Sequence, residues 1–262
     1  MMNIFPHIIT PENLHDRVTR VLALKVLEAE RANSRLEFPN EAELCQQLGV
    51  SRTIVREAIK VLADKGMVEV RRRSGTRATP RLAWNLLDAD ILGWRAELGP
   101  DASFLRDLCE VRLAIEPTAA GFAAVRATVE EHALIEHCLV EREAKVRVSK
   151  LAEAVDLNLA FHTAVVNACH NPLLQQLNRA IRHPLRTALC YTTGLHAADL
   201  VDVAAHRRLF EAIRRQDPMK ARAASEKIVG LAMLTAEGVL QLEAKGKAKS
   251  VSRGTPQIAK RP

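Results

Sequence analysis

Arg52 and Arg56 stand four residues apart in "SRTIVREAIKVLADK", with Thr53 between them and Ser51 just ahead. At i and i+4 the two guanidiniums share one face of a helix. Each presents a planar fork of N–H donors that can bond a guanine edge at two points or clamp a phosphate. The hydroxyls of Ser51 and Thr53 suit phosphate oxygens. A second basic group follows, Arg71, Arg72 and Arg73, just before Ser74 and Gly75. One such arginine reads as no more than a solvated helix surface. Two at the leading end of a helix, backed by three in a loop, fit the grooves and backbone of duplex DNA.

The elements around these arginines support that chemistry. Over 14–32, Leu14, Val18, Val21, Leu22, Leu24, Val26 and Leu27 recur at spacings of three and four, which predicts an amphipathic helix. Pro39 ends it, because the residue before proline avoids helical backbone. Asn40 is placed to cap a second helix, "EAELCQQL", with Glu41 and Glu43 complementing its dipole. Gly49 stops that helix, and Ser51 caps a third whose Val55, Ala58, Ile59 and Leu62 form one apolar stripe. Gly66 closes it. "MVEVRRRSGTRA" then alternates as a short hairpin with Ser74 and Gly75 at its turn. Two short helices and a hairpin describe a winged helix-turn-helix, whose second helix enters the major groove by its N-terminal end. The wing arginines would lie along the minor groove or backbone.

Composition narrows the rest. The chain has 262 residues, 48% of them hydrophobic and only 3% aromatic, which points to a mainly helical protein with a substantial core. No apolar run reaches 18 residues, and the N-terminus lacks the basic start and apolar stretch of a signal peptide. Cys45, Cys109, Cys138, Cys169 and Cys190 are scattered and odd in number, as expected of reduced thiols in a cytoplasmic protein. The net charge of +7 is unevenly spread: the two ends are basic and the middle is mildly acidic. A polyanion should therefore meet the N-terminal part. The tail 244–262 carries six Lys/Arg and no Asp or Glu, and reads as a disordered basic arm.

These signals divide the chain into a winged helix-turn-helix domain at 10–79, a linker at 80–102, an all-α bundle at 103–243 and the tail. Trp84 and Trp94 in the linker read as anchors that hold a helix on a domain surface rather than as ligand contacts. Beyond the linker, helical patterns run over about 103–125, 128–148, 150–169, 172–190, 199–215 and 218–242, with no strand signal. Helices packed this way leave room for a small molecule between facing elements.

The run "FPNEAELCQQLGVSRTIVREAIKVLADKGMVEVRRRSGT" resembles the DNA-binding domain of GntR-type bacterial transcription regulators. The resemblance carries DNA contact onto Arg52, Thr53 and Arg56 and places Gly75 at the wing turn. Many members have an arginine where this chain has Ala42. The phrases "EVRLAIEPTAAGFAA", "NLAFHTAVVNACHNPLL" and "AHRRLFEAIRRQDPMKARAA" are similar to the FCD effector domain of the FadR branch. "WNLLDADILGW" and "HNPLLQQLNRAI" are similar to the galactonate-operon repressor branch.

That resemblance implies an effector site. It puts Arg112 in the cavity, where a guanidinium can grip a carboxylate in a charge-assisted pair; a salt bridge to Glu116 at i+4 is the alternative, and Glu116 could also orient Arg112. It implies a divalent metal, zinc or similar, held by Asn158, His162 and His206, with His162 and His206 also facing the effector. Asn158 and His162 share one helix face. The third histidine of the pattern falls on Ile228, so the ligand set is incomplete; His183 and His196 are the substitutes at hand. Without a metal, His162 and His206 would bond the effector directly. His132, His137 and His170 read as surface or helix-end residues.

The expectation is a cytoplasmic, ligand-responsive repressor. It would act as a homodimer on a pseudo-palindromic operator and be released by a small carboxylate, a sugar acid such as galactonate. The rivals are a metal-dependent enzyme on a helical bundle and a DNA-binding protein without an effector. The enzyme reading lacks a general base beside the histidines, a nucleophile elbow and a phosphate loop.

Overall fold

The computed structural model describes residues 14–71, 75–99, 102–193 and 203–234. It divides into two compact units, Met1–Leu98 and Gly99–Pro262.

The first unit begins with α1 (Leu14–Arg31), α2 (Glu41–Leu48) and α3 (Arg52–Asp64). The expected caps form. The Asn40 side chain accepts from the Glu43 N–H while the Glu43 carboxylate accepts from the Asn40 N–H, a reciprocal capping box. Gly49 ends α2 in the left-handed region at φ 65, which glycine enters without Cβ strain. The Ser51 side chain faces the Ile54 N–H at the start of α3. Strands β1 (Val68–Arg71) and β2 (Gly75–Ala78) pair antiparallel, with Arg71 opposite Gly75. Segment 36–38 extends this wing: the Phe38 N–H donates to the Thr76 carbonyl and the Ala78 N–H to that of Leu36. The core joins Val18, Leu22 and Val26 of α1 to Leu44, to Val55, Ala58 and Leu62 of α3, and to Met67.

The segment read as a linker does not behave as one up to Leu98. A 3-10 turn (Arg81–Ala83) leads to α4 (Ala89–Glu97), and Trp84 and Ile91 are buried in the same core as α1 and α3. Trp94 packs against that core as well, so the tryptophans do anchor this segment. The boundary moves because burying a tryptophan and an isoleucine outweighs the freedom of the Pro-containing stretch before them. Gly66 is fitted to this arrangement. Its φ is 77, and a Cβ there would stand 2.2 Å from the Ala83 carbonyl oxygen.

The second unit is helical throughout the described residues: α5 (Ala102–Arg126), α6 (Val129–Arg147), α7 (Leu151–Asn167), α8 (Pro172–Thr193), α9 (Val203–Arg214) and α10 (218–234). Helix α7 packs against α5, α6 and α8, while α9 packs against α5 and α6. Ala120, Ile135, Leu139, Phe161, Val165, Leu209, Phe210 and Ile213 fill the space between them. Pro117 lies inside α5, where it cannot donate to the Leu113 carbonyl and loosens the helix between Arg112 and its C-terminus. Among the described residues no helix is long and apolar enough to cross a membrane. Residues 194–202, with His196, and 235–262, which include the end of the last expected helix and the basic tail, lie outside the described residues, and so does the side chain of Cys190.

Candidate functional site

Two groups of side chains carry chemistry, one in each unit. In the first, Ser51, Arg52, Thr53 and Arg56 are all exposed, on the side of α3 away from buried Val55, Ala58, Ile59 and Leu62. The amphipathic stripe thus fixes which way the arginines face. Arg56 Nε donates to Glu41 Oε2 of α2 at 2.8 Å. On the wing, Arg71 and Gly75 are exposed at facing positions beside the turn, and Arg72 and Arg73 lie outside the described residues. Glu69 takes Arg71 on one carboxylate oxygen at 3.2 Å and Arg77 on the other. These two arginines hold its carboxyl below the usual range.

In the second unit a chain of buried polar groups runs between helices α5, α7 and α9. Arg112 donates from Nε to Glu116 Oε1 at 2.5 Å and from Nη2 to Oε2 at 3.4 Å, both residues being 2% exposed. Glu116 Oε2 lies 2.9 Å from His162 Nδ1, and His162 Nε2 lies 3.3 Å from His206 Nε2. Phe161 sets its ring edge-on to both imidazoles. Asn158, one turn before His162, is buried, and its Oδ1 has no hydrogen-bond partner.

The electrostatics are set by this chain. Burial pushes the Glu116 carboxyl up, but Arg112 overrides it and holds the group well below the carboxylate range. Burial lowers the His162 imidazole more than Glu116 raises it, and Arg112 and Arg142 push the same way. His162 thus presents Nδ1 to the Glu116 carboxylate and Nε2 to His206 Nε2, so one proton placement on the ring governs both contacts.

Both groups lie in segments that match families of known proteins. Residues 23–77 match the model of bacterial regulatory proteins of the gntR family, and residues 107–230 match the FCD domain. The chain is 35% identical over 206 residues to the galactonate operon transcriptional repressor of Escherichia coli K12, covering 78% of this chain and 89% of that protein. The chain belongs to the GntR family.

Other GntR relatives and structures extend the match. The Uxu operon transcriptional regulator of Escherichia coli K12 is 33% identical over 147 residues, covering 54% of this chain and 53% of that protein. The solved structure of Lar, from Listeria monocytogenes, shares the fold: TM-score 0.57 at 18% identity, covering 87% of this chain and 98% of that one. This GntR protein is a transcription regulator with an FCD effector domain, not an enzyme.

FCD domains often carry a metal, so the donor set is a real question. His162 and His206 offer Nε2 atoms, and Asn158 Oδ1 is an unfilled acceptor, but an amide oxygen is neutral and weak. Both oxygens of the nearby Glu116 are engaged with Arg112 and His162. Ile228, where a third histidine is expected, is buried in the apolar core, and His183 is exposed on α8. Among the described residues no three of His, Cys, Asp and Glu come together as a metal site. These residues do not fit a resident metal of the usual kind.

Two buried arginines complete the description. The salt bridge weighed for Arg112 is present, so its fork is turned on Glu116. Arg142 went unnoticed, yet it is 1% exposed and its charge reaches His162. The available signal was spacing: Ile135, Leu139 and Arg142 fall on one buried stripe of α6.

Proposed function

We propose that this regulator binds a pseudo-palindromic operator as a homodimer and releases it on binding a small carboxylate, a sugar acid such as galactonate. The observation that carries the reading is the exposed face of α3, where Arg52, Thr53 and Arg56 stand clear of the stripe that holds the helix. Two-fold protein symmetry would match two half-sites, with one α3 in each major groove. Arg71, Arg72, Arg73 and Gly75 serve as the wing contact, and Ser51 and Thr53 address phosphates.

The effector binds at Arg112, His162 and His206. The 3.4 Å contact from Arg112 Nη2 is the weak arm of its pair, so an incoming carboxylate takes that arm while the 2.5 Å contact persists. Asn158 Oδ1 accepts from an effector hydroxyl, which suits a hydroxylated acid. The relative named for the galactonate operon supports the sugar-acid class. Binding shifts the population of the protein toward a form with lower operator affinity, and operator lowers effector affinity by the same factor. No step passes through a metal.

The test starts with duplexes selected from a random pool by the full-length protein. Gel-shift titrations then add sugar acids one at a time. Enrichment of a two-fold site and its release by at least one acid is the expected result. Failure to enrich any sequence would overturn the DNA reading, and release by none of the acids would overturn the effector reading. Arg112→Lys keeps a cation beside Glu116 but lacks the second arm of the fork, and should keep duplex affinity and lose release.

A further inference from the structure

We infer that Glu41 is a positioning residue for sequence reading: it holds the Arg56 guanidinium by Nε, so that the Nη1/Nη2 edge is presented to a guanine in the major groove. The inference rests on the DNA-reading role of α3 proposed above.

Glu41 is the first residue of α2 and Arg56 sits in the second turn of α3, 15 residues later, so their bond spans the turn between the helices. The side chains keep 42% and 64% of their exposure. A pair this open to water contributes about 0–1 kcal/mol, offset by the rotamer freedom it removes. It does not hold α2 on α3. Buried Leu44, Val55, Ala58 and Leu62 do that. What the bond does fix is direction, since an unrestrained arginine would sample many rotamers at a helix surface.

Three details fit that role. The bond uses Nε, so Glu41 does not take up the end-on Nη1/Nη2 edge that matches guanine O6 and N7. Glu43, the other carboxylate of the first turn, is already committed to the Asn40 capping box. Ser51 caps α3 immediately ahead of Arg52, so the backbone that carries both arginines is itself fixed.

The arrangement makes an unusual demand on affinity. A carboxylate beside a DNA-reading face repels phosphates whatever the base sequence. Its removal should therefore help binding to arbitrary DNA while harming binding to the right sequence. A residue that merely stabilised α2 would move both in one direction.

The experiment uses the full chain and two probes: a duplex selected from a random pool by the wild type, and the unselected pool. Glu41→Ala should bind the selected duplex about tenfold more weakly and the pool at least as tightly as wild type. Glu41→Gln keeps an oxygen for Nε and should retain most of the discrimination. In an Arg56→Ala background, Glu41→Ala should cause no further loss of the ratio. A selected-to-pool ratio for Glu41→Ala within twofold of wild type overturns the inference. So does an equal loss on both probes with a lowered melting temperature, which marks a structural role. If Glu41→Ala does not fold, the ratio for Glu41→Gln against Arg56→Ala decides: a ratio as low as that of Arg56→Ala overturns it. A wild type that enriches no sequence overturns the DNA reading itself.

Discussion

Arg112 and Arg56 each meet a carboxylate, and burial makes the two pairs behave differently. At 2% exposure, Arg112 and Glu116 can lose neither partner without leaving a charge in the core. Glu116→Ala should destabilise the second unit by about 3–5 kcal/mol, seen as a large fall in melting temperature. Arg56→Ala should leave melting unchanged and weaken the selected duplex by about 1–3 kcal/mol in gel-shift titration. Unchanged affinity would remove Arg56 from the reading face. Among the described residues no third metal-ligating side chain joins His162 and His206, and Ile228 lies in the apolar core. Dialysis against a chelator should therefore leave the melting temperature and the effector response as they were, both measured on the same preparation. Arg112 was visible in sequence as an i+4 partner of Glu116. Arg142 was not, because a charged run around it hides a spacing that only packing makes plain.

At the scale of the element, local rules carried well where the decisive group lies within a few residues. Asn40, Gly49 and Ser51 each cap or end a helix for reasons the neighbouring residues supply. The fate of residues 80–98 was harder to read, since periodicity shows that α4 has an apolar side and not which core will receive it. Asp88 shows how tightly it is received. Its carboxylate caps α4 by accepting from the Asp90 and Ile91 N–H groups, and it takes Lys65 Nζ, at the end of α3, at 2.8 Å. Asp88→Ala should cost about 1 kcal/mol from the cap alone. Burial raises the Asp88 carboxyl, but Lys65 and the two N–H groups outweigh it and lower the group below its ordinary value. The unfolded chain then binds the proton first as pH falls. The stabilisation is complete above about pH 5 and is lost below the ordinary aspartate value near 3.9, so melting curves of Asp88→Ala and wild type should converge in acid. Gly66→Ala meets both a positive φ and the Ala83 carbonyl, and should destabilise by more than about 1 kcal/mol in denaturant unfolding.

For the whole molecule, the division after Leu98 has a direct consequence for folding. A fragment ending at Leu98 should fold cooperatively, because the core of α1, α3, Trp84 and Ile91 is complete. One ending at Thr79 removes Trp84 and Ile91 and should lose stability by several kcal/mol, read by denaturant unfolding of the two fragments. The basic N-terminal part was legible from the sequence as the part that meets a polyanion. The position of the seam between the units was not, because a core is defined by what meets in space.

That seam also bears on how such regulators exchange parts. The match to the gntR family ends at residue 77, so a crossover placed there would seem natural. A chimera joined at that point would carry a foreign tryptophan and α4 against this α1 and α3, and would inherit a mismatched interior. Joining after Leu98 transplants the reading head together with its own packing.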